Sequence, residues 1–128
     1  MEGTMVIAEE QLEGKGRFNR DWHSPQGKGL YFSLILKPAV PLQFMPQFTL
    51  LISVAMCRAI RNMTKLEPGI KWPNDLMLNE KKFAGILLES NVEDTRLNHV
   101  IAGIGVNVNL QHEHLPADLH KTATSLAI

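Results

Sequence analysis

Two short stretches concentrate groups that can handle an anion. The first, Gly14-Lys15-Gly16-Arg17-Phe18-Asn19-Arg20, alternates glycines with cations. Glycine frees the backbone to turn successive N–H groups into one concavity, and flanking cations add charge, so such a nest suits phosphate or carboxylate. No Gly-x-x-x-x-Gly-Lys-Ser/Thr string is present, and Asn19 stands where a dinucleotide fingerprint needs its third glycine, so neither of those phosphate loops applies. The second stretch, Lys71-Trp72-Pro73-Asn74-Asp75, gathers a cation, an aromatic, an amide and a carboxylate around one proline. Lys82 follows, beside the apolar run Phe83-Ala84-Gly85-Ile86-Leu87-Leu88. An ammonium entering a buried strand is costly unless it meets an anion. Each signal has a plain alternative: a solvated loop, a polar turn, and a lysine whose stem lies along the sheet with its head in water.

Other chemistries find less support. Cys57 is the single cysteine and sits in an apolar helical pattern, which reads as a small buried hydrophobe rather than a nucleophile. There is no Gly-x-Ser-x-Gly elbow. His112, His114 and His120 lack acids at metal-ligand spacing and read as surface histidines. Met45, Met56 and Met63 read as core filling.

The chain has 128 residues, 45% hydrophobic and 20% charged, with 13 Lys+Arg against 13 Asp+Glu. That composition describes one globular domain and excludes disordered and repeat architectures. Zero net charge argues against a nucleic-acid binder, which needs a positive excess. Lys15, Arg17, Arg20 and Lys28 nevertheless cluster between Gly14 and Gly29 against Asp21 alone, which suits a small anion better than a polymer. The longest apolar stretch, Leu50 to Cys57, falls far short of the roughly 20 residues of a membrane span, so no membrane crossing is expected. No basic n-region or long h-region opens the chain, and a cytoplasmic location is the default expectation.

Positioning these groups requires a scaffold. Thr4–Glu9 reads as a buried strand, 12–29 as a long functional loop, and Leu30–Leu36 as a second strand. Phe44, Phe48, Leu51, Ile52, Ala55, Met56, Ala59, Ile60 and Met63 recur at helical spacing, and Leu50 and Val54 widen the apolar face, predicting a helix covered on more than one side. Ile70–Trp72 reads as a short strand, and Asp75–Leu78 with Lys82–Ser90 as a hairpin turning at Asn79-Glu80-Lys81. Val100–Leu110 alternates as a strand whose Gly103 and Gly105 admit a close neighbour. His112–Ile128 reads as loop and short helix. The expected class is α+β, a mixed β-sheet with helices packed on one face.

Taken together, the motifs resemble those of biotin–protein ligases. Gly14 to Pro25, with Gly29-Leu30-Tyr31-Phe32-Ser33 after it, resembles the family's Gly-Arg-Gly-Arg-x-Gly-Arg-x-Trp-x-Ser-Pro signature. Lys71-Trp72-Pro73-Asn74-Asp75 with Lys82-x-Ala84-Gly85-Ile86-Leu87-x-Glu89 resembles the second signature, and Gly103-Ile104-Gly105-Val106-Asn107-Val108-Asn109 the third. The resemblance implies a class II synthetase-like biotin/lipoate ligase fold. It also implies a reaction that joins biotin and ATP, with Mg²⁺, into biotinyl-5′-AMP and passes biotin to one lysine of a biotin carboxyl carrier protein. By motif position, Arg17, Arg20 and Lys82 would bind the adenylate phosphate and the biotin carboxyl, while Gln11, Gly14 and Lys15 would border the biotin pocket. Trp22 would pack on adenine and Asn107 would contact the nucleotide. Gly16 and Gly85 fall with the binding residues, Asp75 would orient the acceptor lysine or hold Mg²⁺, and Asn74 would support that corner. Lys15 replaces a frequent arginine and loses its bidentate fork. Asn19 replaces a frequent glycine, but asparagine tolerates positive φ.

The resemblance also predicts what lies outside the chain. Residues 1–128 would be a partial catalytic domain, without the preceding Ser-Thr-Asn segment, the N-terminal DNA-binding domain of the repressor branch, or the small C-terminal β domain. Exposed sheet edges and apolar surface are then expected, and a homodimer through paired edges is compatible with the family. The alternative reading is an inactive fragment that acts only as a ligand-binding or self-association module.

Overall fold

Val100, Ala102, Ile104 and Val106 alternate with half-buried neighbours and are almost wholly buried, which marks this strand as the centre of the molecule. The computed structural model describes Met1–Ile128. It has six strands: β1 (Met5–Ala8), β2 (Gly29–Leu36), β3 (Gly69–Lys71), β4 (Asp75–Leu78), β5 (Lys81–Glu93) and β6 (Arg96–Asn107). A single α-helix, α1 (Met45–Met63), follows β2. The strands form one sheet in the order β1-β2-β6-β5-β4-β3. Every ladder is antiparallel, and the mixed character expected of the sheet is confined to one parallel bridge between Lys82 and Ala123. The α+β class and the helix on one face are as expected.

Two tight turns set the register. Asn79 and Glu80 have φ of 48° and 63°, and Asp94 and Thr95 have 47° and 67°. Paired left-handed residues make the type I′ geometry whose twist matches a hairpin. The first turn begins β5 at Lys81, one residue earlier than expected. The second joins β5 and β6 into a hairpin absent from the sequence reading, because Glu93-Asp94-Thr95-Arg96 is charged and carries no glycine.

The core packs Leu76, Phe83, Ile86 and Val106 of the sheet against Cys57 and Ile60 of α1. Burial pushes the Cys57 thiol above its ordinary pKa, against a smaller opposing pull from Arg61, which suits an inert core residue. A second, smaller cluster of Leu110, Leu115 and Ala123 anchors the segment after β6, whose regular structure is two short 3₁₀ turns at His112–His114 and Ala117–Leu119.

Two expectations fail. The strand at residues 4–9 is not buried: Met5, Val6 and Ile7 are 53%, 62% and 62% exposed. β1 is an edge strand paired only with β2, and α1 lies over β3, β4 and β5 at the other end of the sheet. The helix is covered on one side only. Ser53, Cys57 and Ile60 are its buried positions, whereas Leu51 and Met63 are exposed. An apolar residue on nearly every face let the periodicity fit more than one orientation. By length and composition Leu42–Met63 could span a bilayer; in this fold its Cys57–Ile60 face packs on the sheet.

Candidate active site

The loop between β1 and β2 is an irregular hairpin. Gln11 and Ser24 bridge its base, where Gln11 N–H donates to the Ser24 carbonyl at 3.1 Å and Ser24 Oγ donates to Gln11 Oε1 at 3.0 Å. Trp22 N–H donates to the Gly14 carbonyl at 2.8 Å, and Gly16 N–H to the Arg20 carbonyl at 2.7 Å. Gly14 has no room for a side chain: a Cβ there would lie 2.6 Å from the Trp22 carbonyl oxygen and 2.8 Å from Ser24 Oγ. At the tip, Asn19 takes the positive φ it was expected to tolerate, 56°, and Phe18 takes 57°, a rare conformation for a bulky residue. The Arg17 and Arg20 guanidiniums sit 4.9 and 5.8 Å from the exposed Phe18 ring centroid. Lys15 pairs with Asp21 at 3.1 Å. Tyr31 anchors the return of the loop by donating its hydroxyl to the Pro25 carbonyl at 3.1 Å, and burial raises its pKa.

Trp22 leaves the loop and lies on the sheet. A Cβ at Gly105 would run into its indole, and one at Gly85 would meet Trp22 Cζ3 at 3.4 Å and Lys82 Nζ at 3.3 Å. These two glycines therefore form the seat of the tryptophan. Above its ring, at 5.2 Å from the centroid, stands Lys82 Nζ, paired with Asp75 Oδ1 at 2.7 Å.

Lys82 is held by its backbone from the far end of the chain. Its N–H donates to the Thr122 carbonyl and its carbonyl accepts from Thr124 N–H, both at 2.8 Å. Thr124 also accepts from Asn107 Nδ2 at 3.1 Å. Asn74, in the turn between β3 and β4, exchanges two 3.0 Å bonds with Ile86 and accepts from Arg17 Nη1 at 3.4 Å. Two buried polar atoms are without partners, Trp22 Nε1 and Asn107 Oδ1. Both are closed off from solvent, Trp22 Nε1 by the backbone of Gly105 on which the indole rests.

These groups enclose a cavity of about 770 Å³, the size of small-molecule sites. All residues expected at the site line it except Gly14, which lies buried beneath the loop. Lys71, Lys121 and His23 also line it and were not assigned. Lys71 was visible within its motif. Lys121 had no signal, nor did His23, whose Nε2 lies 2.8 Å from the His114 carbonyl and ties the loop to the C-terminal segment. No cluster of three His, Cys, Asp or Glu exists to hold a metal, and Asp75 is already committed to Lys82. What the arrangement can do is neutralise an anion, since cations converge from loop and sheet on one cavity.

The chain thus combines an antiparallel sheet carrying one packed helix with a glycine-rich cationic loop that lines one cavity with Lys82 of β5. The sequence matches the biotin/lipoate A/B protein ligase family over residues 1–107, and the chain belongs to that family. It is 48% identical over 126 residues to the bifunctional ligase/repressor BirA of Bacillus subtilis, covering 98% of this chain and 39% of that protein. The fold superposes on the biotin protein ligase of Aquifex aeolicus in complex with biotin and ATP, with a TM-score of 0.83 and 35% identity, over 98% of this chain and 50% of that one. The biotin protein ligase of Leishmania major in complex with biotinyl-5-AMP gives 0.80 and 27%, over 98% and 53%. The chain thus spans well under two thirds of these relatives.

Proposed function

We propose that this chain is part of the catalytic domain of a biotin–protein ligase, and that its cavity makes biotinyl-5′-AMP and then passes biotin to a lysine of a biotin carboxyl carrier protein. The observation that carries the reading is the convergence of Arg17, Arg20 and Lys82 on one cavity floored by Trp22. The ligands in the Aquifex and Leishmania structures, biotin with ATP and biotinyl-5-AMP, support it. In the first step a biotin carboxylate oxygen attacks the α-phosphorus of ATP, the new C–O–P bond forms, and pyrophosphate leaves. Negative charge peaks on the α-phosphoryl oxygens, where Lys82 and the two arginines stabilise it. In the second step the acceptor amine attacks the activated carbonyl and AMP leaves with the bonding electrons. Asp75, freed as Lys82 turns to the phosphate, orients the incoming ammonium and takes its proton. Mg²⁺ would be held through the phosphates of ATP and would supply further positive charge at the α-phosphoryl oxygens.

The test is biotin-dependent formation of adenylate from ATP labelled on the α-phosphate. Lys82→Ala should lower it by about 100-fold or more while leaving the fold intact; unchanged turnover would refute the assignment. A second reading, an association module without turnover, draws on the exposed apolar residues of β1 and of the outer face of α1. Concentration-dependent sedimentation together with a lack of adenylate at saturating biotin and ATP would favour it.

A further inference from the structure

The segment after β6 is one wall of the cavity, to which it contributes Leu115, Leu119, Lys121, Thr122 and Ala123. The far end of this wall grips the Lys82 backbone through Thr122 and Thr124. Its near end is the 3₁₀ turn at His112–His114, closed by two reciprocal bonds: the Gln111 side chain accepts from the His114 N–H, and the Gln111 N–H donates to His114 Nδ1 at 2.9 Å. The two ends are linked, because Leu115, next to His114, is buried against Ala123, which lies between the two threonines.

Three histidines bond main chain in this region, and one of them differs from the others. A carbonyl oxygen only accepts, so His23 and His120, whose Nε2 atoms meet the carbonyls of His114 and Leu115 at 2.8 and 2.9 Å, donate there, and do so equally as neutral rings or as cations. His114 Nδ1 instead accepts an N–H, which fixes the ring proton on Nε2 and requires a neutral ring. A second proton has to enter at Nδ1, where it opposes the Gln111 N–H donor to donor. The titratable groups around the ring are Glu113, whose Oε1 lies 3.9 Å from Nε2, and His23 across the contact with the loop. On the same segment stand His112 and His120, with ring centroids 5.9 Å apart. Glu113 lies on the Nε2 side and does not replace the bond from Gln111.

We propose that His114 is a positioning residue of the cavity: neutral, it caps the turn at which the wall begins, and protonated, it releases the wall from the loop and from the Lys82 backbone. Imidazoles ordinarily change charge between pH 5 and 8, so the wall is held at neutral pH and loosens as pH falls. The effect on adenylate formation rests on the ligase reading; the hold on Lys82 does not.

The experiment measures amide hydrogen exchange in the parent chain, His114→Gln, His114→Ala and His112→Gln at about pH 7.5 and about pH 5.5, on either side of the ordinary imidazole range, each rate taken relative to the unstructured peptide at the same pH. In the parent, protection of the Lys82 and Thr124 amides should fall about fivefold at the lower pH, the loss expected of one neutral hydrogen bond. His114→Gln retains an acceptor that does not titrate and should keep its protection at both pH values; His114→Ala should show the lower protection at both. Equal protection of the parent at the two pH values overturns the proposal, as does a fall in His114→Gln equal to the parent's. So does an equal fall in the β6 amides Val100–Ile104, which would be loss of the whole fold, or a level profile in His112→Gln, which would assign the effect to repulsion between His112 and His120. In adenylate formation the KM for ATP should rise more in the parent than in His114→Gln as pH falls, with kcat little changed, and an equal rise in the two overturns the positioning role. If the parent forms no adenylate, that counts against the ligase reading, and the exchange rates decide the hold on Lys82.

Discussion

Lys82 and Arg17 bring the same charge to the same cavity, yet they are held differently. Lys82 lies on a strand between β4 and β6, its backbone bonded to Thr122 and Thr124 and its ammonium on Asp75. Arg17 sits at an exposed loop tip, stacked on Phe18 and joined to the sheet by one 3.4 Å bond to Asn74. Charge on the sheet is positioned before a ligand arrives, which lowers the reorganisation needed during reaction. Charge on the loop can be redirected at small cost, because exposed, sparsely packed segments open with low free energy.

The sharpest test of that contrast is stability. Phe83→Ala empties a fully buried site beneath Lys82 and should cost about 3–5 kcal/mol in urea unfolding. Phe18→Ala, on the exposed tip, should change it by less than about 0.5 kcal/mol; a loss of comparable size in both would erase the distinction. Gly105→Ala falls between. Its methyl collides with the Trp22 indole, so the tryptophan must leave its seat, at about 1–3 kcal/mol. In a Trp72→Phe background, Trp22 fluorescence should shift to the red. Asn107→Ala removes the donor that satisfies the Thr124 carbonyl and should cost about 1–2 kcal/mol, read as faster amide exchange in residues 122–126.

The smallest expected effect is that of pH. Cys57 and Tyr31 both have folded pKa values raised by burial. A raised acid pKa favours folding fully while the group is protonated in both states, and that contribution disappears as pH climbs past the unfolded value and through the folded one. Thermal stability should therefore be flat with respect to these groups at neutral pH and decline in the alkaline range. Cys57→Ala should flatten part of that decline, and the folded thiol should resist labelling at mildly alkaline pH.

Much of the site was legible because its chemistry is local in sequence. Lys71-Trp72-Pro73-Asn74-Asp75 is one turn, and Gly14–Arg20 is one loop tip, so spacing alone brought their groups together. Gly103 and Gly105 hinted at a close neighbour; at Gly105 that neighbour is Trp22, whereas a Cβ at Gly103 would meet only Leu87 at ordinary contact distance. The illegible parts depend on distant pairing. Nothing around Lys121-Thr122-Ala123-Thr124 announces that its backbone will grip Lys82. The hairpin turn at Asp94-Thr95 takes left-handed φ without the glycine that would advertise it. The exposure of β1 and of the outer face of α1 follows from what packs on them, and an apolar pattern says that a face is fit for burial without saying that it is buried.

The grip of Thr122 and Thr124 on Lys82 has a consequence in time. A chain emerging from the ribosome releases the loop, α1 and the lysine strand first, and the segment that fixes the lysine only afterwards. Early contacts can form the core, but the lysine's own amide and carbonyl await a late partner, so competence of the site follows formation of the sheet during synthesis.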